Sequence, residues 1–146
     1  MEVLLVEDSP GDIRLAREAF RASNRQTDLH VVVDGVEAMA FLRHEGSHHA
    51  APRPDLILLD LKMPKMGGRE VLTHIKSDVD LRAIPVIILS TSENDDDVDY
   101  CYQHYANCFI KKPEQWDEFE RLISFVNEFW RLMVKLPTSQ TAEAIH

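Results

Sequence analysis

Residues 3–12 read VLLVEDSPGD: four apolar residues run straight into two acids, and the acids into a Ser-Pro-Gly-Asp turn. The unbroken apolar run is that of a strand buried on both faces of a parallel sheet. The turn has the marks of a helix start, with Ser9 as N-cap, Pro10 at the first helical position and Asp12 three residues past the cap. Similar apolar runs occur at 56–59 and 85–89, with a mixed one at 29–33 and a weaker one at 108–110. Between them lie helically spaced apolar residues: Ile13, Ala16 and Phe20, then Val36, Met39, Ala40 and Leu42, then Val71, Leu72 and Ile75. The alternation predicts a doubly wound α/β domain with a largely parallel sheet and right-handed crossovers. Residues 44–54, HEGSHHAAPRP, read as a polar, proline-punctuated loop.

The chain's 146 residues suit one domain plus a tail, divided as 1–130 and a helical extension with tail over 131–146. Apolar residues make up 45% and charged ones 28%, the balance of a folded soluble protein. No run approaches the roughly 20 apolar residues that span a bilayer, and no basic leader precedes the first strand. The expectation is a cytoplasmic protein with no membrane partner. Cys101 and Cys108 lack CxxC spacing and are expected to be buried apolar residues. A net charge of −9 disfavours nucleic acid as a partner.

In an open parallel sheet, ligands bind outside the carboxyl ends of the strands. Glu7 and Asp8 follow the first strand, Asp60 the third, Ser90 and Thr91 the fourth and Lys112 the fifth, so one edge gathers three acids, hydroxyls and a cation. Three carboxylates this close cannot all stay ionised without a cation. An all-oxygen, water-keeping site suits Mg²⁺.

An acid pair after strand one, LLDLKMPKMGG at and after strand three, a hydroxyl after strand four and Lys-Pro after strand five together resemble the receiver domain of bacterial two-component response regulators. The resemblance covers residues 2–130 and implies a flavodoxin-like sheet of order 2-1-3-4-5 with helices on both faces. It implies Asp60 as phosphoacceptor for a histidine kinase and Glu7, Asp8, Asp60 and the backbone carbonyl of Lys62 as Mg²⁺ ligands. Lys112 becomes the phosphate-binding lysine, Ser90 the switch hydroxyl and Phe109 the switch aromatic. EDSPGDIRLAREAF and FWRLMVKLP more narrowly resemble the stand-alone regulators of phytochrome-type histidine kinases. Glu7 replaces an aspartate seen in many receivers and reaches one carbon further, so contact with the metal directly or through water stays open. Lys62, two residues past Asp60, either shields an acyl phosphate from water or is solvated.

Two other readings stand beside this one. A phosphatase with a strand-end aspartate nucleophile usually carries a second acid two residues on, where this chain has Lys62. A degenerate receiver would act only as an interaction module, yet Asp8, Asp60, Ser90 and Lys112 are all present. The histidines of the 44–54 loop lack spacing that fixes a metal geometry, and residues 93–99, ENDDDVD, read as an acidic first helical turn rather than a calcium loop.

From about residue 114 to about 135 the chain reads as one helix with two apolar stripes. Phe119, Leu122, Val126, Trp130 and Met133 form the stripe whose first half the sheet can cover. Phe125, Phe129, Leu132 and Leu136 form another, which predicts a homodimer through this helix and the extension. Pro137 is expected to end the helix and leave 138–146 mobile.

Overall fold

The computed structural model describes residues 1–23 and 26–137. Among these residues five strands, β1 (Glu2–Val6), β2 (Asp28–Val32), β3 (Leu56–Leu59), β4 (Val86–Ser90) and β5 (Cys108–Lys111), alternate with helices α1 (Pro10–Ser23), α2 (Gly35–Leu42), α3 (Gly68–Ser77), α4 (Asp95–Gln103) and α5 (Trp116–Glu128). Every strand pairing is parallel, in the order β2-β1-β3-β4-β5 expected from the sequence. The order reverses at β1, between β2 and β3, and a doubly wound sheet opens its ligand crevice at such a point.

Period-two alternation sorts each strand's side chains between two cores. Leu4, Val6, Ile57, Leu59, Val86 and Ile88 meet α2, α3 and α4 through Met39, Leu42, Val71, Leu72, Ile75 and Cys101. Val3, Leu5, Leu56, Leu58, Ile87 and Leu89 meet α1 and α5 through Ala16, Phe20, Phe119, Ile123 and Val126. Both faces are therefore dry, which is why the strands read as continuous apolar runs.

The helix starts follow their capping chemistry. Asp12 N donates to Ser9 Oγ at 3.3 Å, Glu37 N to Asp34 Oδ1 at 2.7 Å, and Asp96 N to Asn94 Oδ1 at 2.7 Å. The acidic stretch at 93–99 forms the cap and first turn of α4, as its composition suggested. The 44–54 loop holds a 3-10 turn at Gly46–His48, and the His48 ring packs on Phe41 with centroids 5.4 Å apart. Cys101 is fully buried, whereas Cys108 is only half-buried, because β5 is an edge strand.

The last helix departs from expectation. The α-helix stops at Glu128, and Phe129–Met133 form a π-helical turn closed by Val134 N donating to Phe129 O at 3.1 Å. A π turn holds more residues than an α turn, so tracks drawn at α spacing fall out of step beyond Glu128. Trp130 accordingly packs on the α1/α5 core while Met133, placed on the same track, is 75% exposed. Ile123 is fully buried and Leu122 only partly, a one-residue shift of the inward face. The expected mobile tail at 138–146 lies outside the described residues.

Candidate functional site

Ladder bonds continue past the strand ends and hold the polar residues in register. Glu7 N donates to Val32 O at 3.0 Å, Asp60 N to Val6 O at 3.0 Å and Lys112 N to Ser90 O at 2.7 Å. The backbone thus fixes Glu7, Asp60 and Lys112 at the carboxyl edge of the sheet before any side chain interacts. Gly68 brings the N-terminus of α3 against the same edge: a Cβ there would collide with the Asp60 carbonyl oxygen and lie 2.6 Å from Leu61 Cα. The glycine pair of LKMPKMGG is in part a packing requirement.

Carboxylate oxygens of Glu7, Asp8 and Asp60 lie within 4.8 Å of one another. Glu7 and Asp60 are buried and Asp8 is exposed, so the cluster opens to water on the Asp8 side. An all-oxygen set with water access is the donor chemistry of a hard divalent cation. Lys112, 7% exposed, points into the cluster, with Nζ 2.6 Å from Glu7 Oε1, 2.9 Å from Asp12 Oδ2 and 3.9 Å from Asp60 Oδ1. Both Glu7 oxygens are engaged, since Ser9 N donates to Oε2 at 3.1 Å.

Burial pushes the Asp60 carboxyl up from 3.8 to about 7; the Glu7 charge and, more weakly, Asp8 add to the rise, while Lys112 and the Lys62 N–H oppose it. Burial alone would lower the Lys112 ammonium, but its hydrogen bonds to Glu7 and Asp12 and the charges of Glu7 and Asp60 outweigh that, and its pKa ends above the ordinary lysine value.

Ser90 is fully buried, and its Oγ accepts from Ser92 N at 3.1 Å. Ser92 Oγ donates to Asp97 Oδ2 at 2.9 Å, and Asp97 pairs with Arg69 at 3.2 Å, so the loop after β4 is tied to α4 and α3. Phe109 is half-buried against the α2/α3/α4 core, and its N–H donates to the Tyr102 hydroxyl at 3.0 Å. The Lys62 side chain is exposed while its backbone N–H meets Asp60.

All the site residues singled out in the sequence except Phe109 gather at this edge, and Phe109 sits further back on β5, paired with Ile88 and three residues before Lys112. Asp12 was missed. Its place three past a cap explained it locally, and nothing in the sequence pairs it with a lysine 100 residues away.

The response regulator receiver domain family matches residues 3–124. The chain belongs to that family. Response regulator Rcp1 of Synechocystis sp. is 43% identical over 137 residues, covering 94% of this chain and 93% of the relative. Among solved structures, the Mn(2+)-bound form of Rcp1 superposes with a TM-score of 0.89 at 43% identity, covering 94% of this chain and 99% of that one. The phosphorylated cyanobacterial phytochrome response regulator RcpA gives 0.90 at 47% identity, covering 94% and 98%. Receiver membership makes this a protein of phosphorelay signalling, with a histidine kinase as its partner.

Proposed function

We propose that this chain accepts a phosphoryl group from a phytochrome-type histidine kinase onto Asp60 and signals through the resulting change of shape, without catalysing turnover of a separate substrate. The observation that carries the reading is the convergence of a buried carboxylate, two further acids and a buried lysine on one sheet edge. The phytochrome link rests on the likeness to RcpA along nearly the whole chain.

Asp60, Asp8 and the Lys62 carbonyl would hold Mg²⁺, with Glu7 joining through water because both its oxygens already accept hydrogen bonds. The ion, when bound, neutralises charge on the transferred phosphoryl oxygens. An Asp60 oxygen forms the new O–P bond as the P–N bond of the phosphohistidine breaks, and the electron pair leaves with the imidazole nitrogen. Lys112 supplies a compact cation to the phosphoryl oxygens. Ser90 then exchanges its bond from Ser92 N for one to the acyl phosphate, and Phe109 repacks into the space released.

The working unit is a receiver domain over 1–130 with an extension over 131–146, cytoplasmic, without nucleic acid, and paired as a homodimer through the face of α5 and the π turn. No helix among the described residues is long and apolar enough to cross a membrane.

Incubation with acetyl phosphate tests the assignment. With Mg²⁺ the intact chain should gain one stable phosphate, lost in Asp60→Asn and absent in EDTA. Labelling of Asp60→Asn, or equal rates with and without Mg²⁺, refutes the reading; rapid turnover of many phosphoesters would instead mark an aspartate-nucleophile phosphatase.

A further inference from the structure

Lys112 is not held by the nucleophile. Its ammonium sits between Glu7 Oε1 at 2.6 Å and Asp12 Oδ2 at 2.9 Å, and Asp60 Oδ1 at 3.9 Å lies beyond hydrogen-bond reach. Asp12 approaches from the first turn of α1, where Ser9 Oγ accepts from its backbone N–H, and Ser9 N donates in turn to Glu7 Oε2. Glu7, Ser9, Asp12 and Lys112 therefore form a closed ring of hydrogen bonds that fixes where the ammonium stands.

We infer that Asp12 is a positioning residue for phosphoryl transfer, holding the Lys112 ammonium at the distance of a phosphoryl oxygen rather than of the Asp60 carboxylate. The inference rests on Asp60 as the phosphoacceptor. A terminal oxygen of a phosphoryl group on Asp60 stands two covalent bonds out from the attacking Oδ, so an ammonium 3.9 Å from that atom can meet an acceptor that exists only once transfer is under way. Without the Asp12 carboxylate, the attraction of Asp60 is opposed by Glu7 alone. The ammonium then closes on the nucleophile and ties up the lone pair that must attack phosphorus. The ordinary role of an acid in a first helical turn, favourable contact with the helix dipole, requires no contact with Lys112 and gives no reason for a ring that includes it.

Phosphoramidate with Mg²⁺ tests this on the intact chain while bypassing kinase docking. Transfer makes the O–P bond at Asp60 and breaks the donor's P–N bond, the electron pair leaving with the amine nitrogen, which takes a proton from water. Asp12→Ala should slow phosphorylation on the order of tenfold, as expected for a misplaced catalytic cation, and should cause no further loss in a Lys112→Ala background. The Lys112 ammonium resonance in nitrogen-15 NMR should shift in Asp12→Ala with the helical circular dichroism unchanged. If Asp12→Ala loses helical signal, the near-isosteric Asp12→Asn is measured in the same two backgrounds. Equal rates for variant and wild type, an equal loss in both backgrounds, or an unmoved ammonium resonance overturns the inference while leaving Asp60 as acceptor. Phosphate mapped to a residue other than Asp60 in the wild type overturns the site assignment and the inference together.

Discussion

The Lys112 ammonium is 2.6 Å from Glu7 but 3.9 Å from Asp60, so this buried cation neutralises the acid nearest to it and compensates Asp60 poorly. Asp8 and Asp60 remain beside Glu7 with too little positive charge among them, and Asp60 titrates near 7 as a result of burial and of the Glu7 charge.

A first prediction follows from that imbalance. Asp8→Asn removes one of the crowded charges and should raise stability in EDTA by about 1 kcal/mol, a shift of a few degrees in Tm. Millimolar Mg²⁺ should stabilise the wild type by mass action and the variant far less, and phosphorylation of the variant should be slow. Thermal melts with and without Mg²⁺ check this; a variant less stable than wild type in EDTA contradicts it.

The second prediction concerns the close approach of α3 to β3. Gly68→Ala places a methyl group against the Asp60 and Leu61 backbone, which the edge of a packed sheet cannot yield. Stability should fall by about 1–3 kcal/mol in urea unfolding, and the displaced Asp60 backbone should slow phosphorylation as well. Gly11→Ala in α1, where the added methyl meets no heavy atom within 4 Å beyond its own stretch of chain, serves as the control and should lose no stability.

These two sites show what could be read from sequence and what could not. The strand-end acids were legible because unbroken apolar runs fix where a strand ends, and a parallel sheet sends all its carboxyl ends to one edge. Asp12 was not, because a helix start explains an acid locally and the contact with Lys112 depends on how α1 docks beside the turn after β5. The π turn at Phe129–Met133 was equally hidden. Apolar spacing places Phe119 and Val126 on the inward face but takes Leu122 for its buried neighbour Ile123, and the switch to π geometry comes with seating Trp130 on the core, a tertiary preference that local spacing does not encode.

The third prediction is a pH dependence at Cys101. Burial pushes this thiol up from 9.0 to about 11, with the Asp97 charge adding to the rise and Arg69 opposing it. The neutral thiol is the form the fold favours, so its contribution is fully present below the unfolded-state value of 9.0 and is lost as pH climbs towards about 11. Against Cys101→Val, the wild type should keep a constant stability difference up to about pH 9 and lose about 1 kcal/mol relative to it by about pH 10. Urea unfolding of both proteins across that range reads the difference directly, and a difference that stays flat to about pH 10 contradicts it.

The fourth prediction concerns assembly. Phe125, Phe129, Leu132 and Met133 are 64%, 42%, 61% and 75% exposed, and the Phe125 and Phe129 rings stack with centroids 5.8 Å apart. A contiguous apolar row of this kind is uncommon on a free monomer surface and typical of the centre of an interface. The π turn sharpens the case: by seating Trp130 on the core it leaves Phe129, Leu132 and Met133 outside, so the row is a product of the fold and not of a frayed end. A second copy offers the same row about a two-fold axis. Each buried aromatic or aliphatic side chain would then contribute about 1.5–3 kcal/mol, offset by the cost of association. Light scattering at micromolar concentration should give twice the monomer mass. Phe129→Asp would bury a charge at the centre of that contact and should reduce the mass to that of a monomer with the circular dichroism of the fold intact. A monomeric mass for the wild-type chain removes the dimer, and a dimer that survives Phe129→Asp moves the interface to another face.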